Sequence, residues 1–146
     1  MQINIEKMRA EHKKEVIDMM SIFYASEAVH TNGSAEIFEA DFENCIGNSP
    51  YIDGFVFTQA EKVLGYAMIA HSFSTEYGKE CIWFEDLYLK PEFRGFGIIP
   101  KFFNFIETEY KNTIFRLEVE KENLHALHVY KKHKFSALPY HEMVKI

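Results

Sequence analysis

The sequence predicts an α/β fold: a mixed, mostly antiparallel central sheet flanked by helices, in the order β-αα-βββ-α-β-α-β. Three observations predict it. The runs YIDGFVFT (51–58), KVLGYAMIAH (62–71) and CIWFEDLYL (81–89) are rich in aromatic and branched residues and are separated by the polar or glycine-bearing turns QAEK and STEYGKE. That pattern reads as an antiparallel meander. Ahead of it, apolar residues recur at three- and four-residue spacings, and behind it helical and extended patterns alternate, which together require helices packed on a sheet.

Taken in order, INIEKM (3–8) reads as a short first strand, and residues 11–28 as a helix with Val16, Met20 and Phe23 on one stripe. After Asn32-Gly33, Ser34 is placed to cap a second helix whose apolar members include Phe38, Phe42 and Cys45. Beyond the meander the pattern predicts a helix over Ile98–Tyr110, a strand over TIFRLEV (113–119), a helix over Asn123–His133 and a closing strand near HEMVKI (141–146).

Composition bounds the function. With 146 residues, 47% of them apolar, the chain can bury a core of its own. It carries no low-complexity tract, repeat or Pro/Gly/Ser linker, so residues 1–146 are expected to form one domain. Cys45 and Cys81 have no C-x-x-C spacing, which suggests neither a disulfide framework nor a thiolate metal site and fits a reduced, cytoplasmic setting. No continuous apolar run marks a signal peptide or a membrane span, so export and membrane insertion are not expected. A formal charge of −6 with acids and lysines interspersed gives no basic footprint for nucleic acid and suits a cationic ligand.

The densest chemistry lies in FEDLYLKPEFRGFGII (84–99). A strand running into a glycine-rich turn and then a helix aims several backbone N–H groups, and the positive end of the helix dipole, at one spot suited to a phosphate. Gly95 and Gly97 allow positive φ and close approach of the backbone, and Arg94 adds a permanent charge. A P-loop would need Gly-Lys-Ser/Thr, which is missing, and a dinucleotide fingerprint would need a glycine where Pro100 stands. The same glycines would also suit a plain tight connection. Farther on, Asn123 and Tyr130 lie seven residues apart, almost two helical turns, and so are expected to share a face with the small Ala126 between them.

RGFGII resembles the Arg/Gln-x-x-Gly-x-Gly/Ala loop of the GCN5-related N-acetyltransferase (GNAT) family, and FEDLYLKPEFRGFG is similar to the corresponding segment of diamine acetyltransferases. NLHALHVYKKHKF resembles the family's Asn-x-x-Ala-x-x-x-Tyr helix followed by Lys-x-x-Gly-Phe. The element order agrees over essentially the whole chain, while the specific motifs occupy about its last 65 residues. The resemblance implies acetyl-CoA as cofactor, its pyrophosphate held by Arg94, Gly95, Phe96, Gly97, Ile98 and Ile99. Its pantetheine arm would pair with Leu87, Tyr88 and Leu89 as an added strand, where the family splays its central strands apart. It further implies that Asn123 bonds the pantetheine, that Tyr130 gives a proton to the departing thiolate, and that Glu85 is the general base, through a water.

These roles are chemically sound. Strict alternation would put Trp83, Glu85, Leu87 and Leu89 on one face and Phe84, Asp86 and Tyr88 on the other, so each face sets a carboxylate among apolar groups, where its pKa rises toward neutrality. Glu85 would otherwise serve in a structural ion pair. A phenol remains protonated at neutral pH and is a suitable acid for a thiolate, although a helix tyrosine more commonly just packs. Tyr24 and Glu27 resemble the acceptor side and, with Glu85 and Asp86, are expected to form an acidic mouth for a small-molecule amine: a polyamine, amino acid or amino sugar.

Three positions depart from the family pattern. Ile99 stands at the last Gly/Ala of the loop and is placed to crowd the pyrophosphate. Pro100 fits only in a first helical turn. Lys134 replaces a glycine where left-handed geometry is favoured, so strain or a different cap is expected. His125 and His128, one turn apart, read as surface histidines, and no metal is expected. The leading expectation is acetyl transfer to a primary amine by direct attack in a ternary complex. A peptide N-terminus is the alternative acceptor, and a non-catalytic CoA-binding module is the rival class. A homodimer is expected on the commonness of dimers in such folds.

Overall fold

A computed structural model of the chain describes residues 2–146. Five strands form one sheet in the order β1-β2-β3-β4-β5: β1 (Asn4–Lys7), β2 (Ile52–Gln59), β3 (Lys62–Ser74), β4 (Lys79–Leu89) and β5 (Thr113–Leu117). The first three pairings are antiparallel and the last, β4 with β5, is parallel. The meander is built as its residue types require. Its first turn is tight, and Ala60 and Glu61 both take positive φ (49° and 69°), the backbone that a two-residue hairpin loop demands even without glycine.

Helices α1 (Lys13–Tyr24) and α2 (Ala35–Ile46) cover one face of the sheet, and α3 (Ile98–Glu109) and α4 (Leu124–Lys132) pack on the other. On the first face Val16, Met19 and Met20 of α1 meet Phe38 and Phe42 of α2 over Val56, Tyr66 and Tyr88. On the second, Phe102, Phe103 and Ile106 of α3 sit over Phe55, Phe57 and Phe84, with Tyr130 and Phe135 packed alongside. Phe84 alone lies within 4.9 to 6.3 Å of the rings of Phe102, Phe103, Phe115 and Phe135. Truncating such a side chain costs about 3–5 kcal/mol.

Local signals fix the helix starts. Ser34 caps α2 by accepting from the Ile37 N–H at 3.2 Å. Gly97, at φ 76°, precedes α3, and Pro100 falls in its first turn, where the missing N–H has no helical acceptor to lose. Two expectations fail. The first helix ends at Tyr24 rather than 28, because the Ser26 side chain and N–H both bond the Phe23 carbonyl and turn the chain. The expected closing strand does not form, and residues 136–146 pair with no strand. Pro139 has no N–H to give to a ladder.

Candidate active site

The site is made by the parting of two strands. β4 and β5 are in register from Glu80↔Thr113 to Phe84↔Leu117, and there the pairing stops. From Glu85 to Leu89, β4 keeps β3 on one side only, leaving its other edge open. Into that opening runs a groove of about 640 Å³, lined by Leu87, Tyr88 and Leu89, by Arg94, Gly95 and Gly97, by Ile98, Ile99 and Pro100 of α3, and by Asn123, Ala126 and Tyr130.

At the same point the register slips. Met68 pairs with Asp86 but Ile69 pairs with Phe84, so Glu85 is an extra residue in a β-bulge. This corrects the face assignment made from strict alternation. Phe84 joins Leu87 and Leu89 on the α3 face, while Asp86 and Tyr88 turn toward α1 and α2. Glu85 lines both the groove and a second cavity of about 470 Å³ on the α1/α2 side.

The two carboxylates have different surroundings. Asp86 is only 3% exposed and accepts hydroxyl bonds from Tyr66 at 2.7 Å and Tyr24 at 2.9 Å. Burial pushes its pKa up to about 6, although the two hydroxyl bonds pull it down. Glu85 stays open to solvent, yet the protein around it, and then the charges of Asp86, Glu142 and Asp41, raise its pKa as well. Burial and the adjacent Asp86 charge hold the Tyr24 phenol protonated.

The turn after β4 matches the pattern that led to it. Gly95 and Gly97 take φ of 83° and 76°, and a Cβ added at either would meet no protein atom within 4 Å, so the backbone borders open space. Arg94 donates from Nε to the Leu89 carbonyl at 3.0 Å, and its guanidinium lies over the Tyr88 ring. Among the described residues its terminal nitrogens have no hydrogen-bond acceptor. Phe96 is exposed and does not line the groove, so only its main chain bears on it. Ile99 lines the groove while packing against the core.

Asn123 and Tyr130 both line the groove, but not as two residues of one helical face. Asn123 is the cap of α4, with φ −82° and ψ 73°, and its Oδ1 accepts from the Ala126 N–H at 3.2 Å, leaving its NH₂ group without an acceptor among the described residues. Tyr130 packs beside Phe103 and Phe135, and burial raises its pKa.

Glu27 is not brought to the site: it lies exposed in the loop after α1 and lines neither cavity. His125 and His128 are exposed, and among the described residues no cluster of His, Cys, Asp and Glu is arranged to hold a metal. Sequence reasoning missed Asp41, Asn44 and Tyr51, which line the second cavity, and Glu118 and Glu142, whose carboxyl groups meet near Glu85. None of them stands in a motif.

The model of the acetyltransferase (GNAT) family matches residues 16–135, and the chain belongs to that family. No curated protein sequence matches it. Among solved structures it is similar to a possible acetyltransferase from Clostridium difficile 630, with 21% identity, TM-score 0.82 and coverage of 100% of this chain and 98% of that one. It is also similar to a predicted acetyltransferase with acetyl-CoA from Clostridium acetobutylicum (18%, TM-score 0.80, coverage 99% and 96%). A third is AAC(6')-Iy in complex with a bisubstrate analog, CoA-S-monomethyl-acetylneamine (12%, TM-score 0.79, coverage 100% and 99%). These likenesses are of fold. Membership of the family makes the chain an acetyltransferase with acetyl-CoA as its cofactor. The open edge of β4 and the glycine turn, with its unfilled space, suit that molecule.

Proposed function

We propose that the chain acetylates a primary amine of a small molecule by direct attack, with both substrates bound at once. The observation that carries this reading is the position of Glu85, the bulge residue at which β4 leaves β5 and the groove meets the second cavity. The cofactor, when bound, supplies an activated acetyl thioester. The main chain of Gly95, Phe96, Gly97, Ile98 and Ile99, with Arg94, would hold its diphosphate, and the free edge of Leu87, Tyr88 and Leu89, with the Asn123 NH₂ group, its pantetheine.

The remaining chemistry belongs to side chains. An amine arrives largely as ammonium and must lose a proton before it can attack. Glu85, ionised but with a raised pKa, accepts that proton at a carboxylate oxygen, through a water. Tyr130 keeps its proton at Oη at neutral pH and is the acid for the departing thiolate. Tyr24 and Asp86 border the acceptor, with the phenol held in place by the carboxylate.

The test is thiol release from acetyl-CoA over a panel of small amines, aminoglycosides and peptide N-termini. Release with a small amine that falls about a hundredfold in both Tyr130→Phe and Glu85→Gln supports the reading. Release with peptides alone, or variants as active as the wild type, overturns it.

A further inference from the structure

Among the described residues, the one buried side-chain nitrogen or oxygen without a hydrogen-bond partner is the Nε of Arg116. The other two arginines are satisfied at that atom: Arg9 donates from Nε to Glu11 at 2.7 Å, and Arg94 to the Leu89 carbonyl at 3.0 Å. The carboxylate beside Arg116 is Glu76, which stays 3.8 Å from Nη2 and instead accepts from the Tyr140 hydroxyl. A guanidinium with only 24% of its side chain exposed and no hydrogen bond to any described residue is unfavourable until an acceptor from outside the chain completes it.

The group is also held ready. It lies against the rings of Trp83 and Tyr77, 5.6 and 5.7 Å from their centroids. Two rings restrict the side chain, so little freedom is left to lose when an anion takes the planar fork. Its place in the sheet ties it to the acceptor side. Ala70 lines the second cavity, Trp83 is the register partner of Ala70 on β4, and Arg116 is the partner of Trp83 on β5. Paired residues share a face, so this row sets Arg116 beyond the cavity on the same face, two strand spacings of about 4.8 Å from Ala70. Glu85 follows Trp83 by two positions. The face therefore changes sign along its length, from the carboxylates of Asp41, Glu85 and Asp86 at the cavity to one unpaired guanidinium beside it.

We propose that Arg116 binds a carboxylate of the acceptor, which is therefore a zwitterion, an amino acid in chemical class, with its reacting amine at Glu85. The proposal rests on the acceptor-side reading above. A carboxylate suits the site better than a phosphate, because a dianion would outweigh a single guanidinium and would meet the charge of Glu76 at its side.

The test compares straight-chain amino acids, from glycine to 6-aminohexanoate, with the monoamine of equal length and with diamines. At the length that spans the site the amino acid is expected to exceed its monoamine about tenfold in kcat/KM. In Arg116→Gln that advantage should shrink about tenfold, through KM rather than kcat, and in Arg116→Lys, which keeps the charge without the fork, it should shrink less. No advantage at any length, a diamine preferred over every amino acid, or an advantage that survives Arg116→Gln overturns the proposal. Glu76→Gln keeps Arg116 in place and removes the competing charge, so it should lower the KM for the amino acid about threefold. An unchanged or raised KM there counts against the site. A further measurement needs no turnover: the amino acid alone should raise the melting temperature of the wild type more than its monoamine does, and Arg116→Gln should remove the difference. If no amine releases thiol but this Arg116-dependent difference persists, the carboxylate site stands and the catalytic reading falls. If amino acid and monoamine stabilise equally at every length, the carboxylate site falls, whatever the catalytic result.

Discussion

Tyr66 donates its hydroxyl proton to Asp86 across 2.7 Å inside the α1/α2 face of the sheet, and Tyr24 approaches the other carboxylate oxygen from the end of α1. Among the described residues this buried acid is thus held by two neutral donors and by no cation. Its pKa, about 6 against an ordinary 3.8, is above that of the unfolded chain. The native state therefore binds the proton more tightly than the unfolded state does, and stability falls as pH rises from about 4 through 6, by about 3 kcal/mol. Asp86→Asn should flatten that interval. Urea midpoints measured at several pH values check it, and a wild-type curve that rises across the same interval refutes it.

Lys134 closes α4 at φ 70°, left-handed backbone that is unfavourable for a residue with a Cβ. The helix end it forms is well bonded: the Phe135 N–H reaches the Tyr130 carbonyl at 3.1 Å. Strain and bond coexist, so relieving one should spare the other. Lys134→Gly is expected to stabilise the chain by about 1 kcal/mol, seen as a rise in melting temperature.

Gly95→Ala should do the reverse. Its φ of 83° disfavours any side chain, at a cost of about 1 kcal/mol, while no protein atom stands in the way of the new Cβ. Under the proposed function the methyl group would intrude on the diphosphate. Calorimetric titration with acetyl-CoA should then show affinity weakened well beyond the loss of stability, and unchanged affinity would move the diphosphate elsewhere.

Glu118 and Glu142 share a contact that raises the pKa of Glu118 to about 7, first through the bond between the two carboxyls and then through desolvation and repulsion, with Glu85 adding its charge. The contact is favourable while a proton bridges it and is lost as pH rises through about 7. Residues 136–146 are otherwise fastened by Tyr140, which donates to Glu76 at 2.7 Å. Hydrogen exchange of this segment, corrected for intrinsic rates, should quicken between pH 5 and 8, and Glu142→Gln should blunt the change.

What could be read in advance had a local cause. Helix stripes, the Ser34 cap and the Gly95/Gly97 turn express backbone preferences of the residues themselves, and all appear where the sequence put them. The bulge at Glu85 had no such marker. It arises from how β3 and β4 settle over two different cores, and it overturned the faces read from alternation. Asn123 was assigned to a helical face but became a cap, because an amide that can accept from an N–H competes with continued helix. Asp41 carried no signal at all, since an acid on an amphipathic helix looks the same whether it faces water or a cavity.

The parting of β4 from β5 makes this sheet a wall with a doorway. The groove is bordered by α3 and α4 on one side and reaches Phe23 and Ser26 at the end of α1 on the other, while the second cavity belongs to α1 and α2. Under the proposed function, a donor and an acceptor coming from opposite rooms need not wait for each other at the threshold. On the same reading α2, which borders the second cavity and not the groove, can drift in sequence and change the guest admitted without disturbing the half that grips the donor.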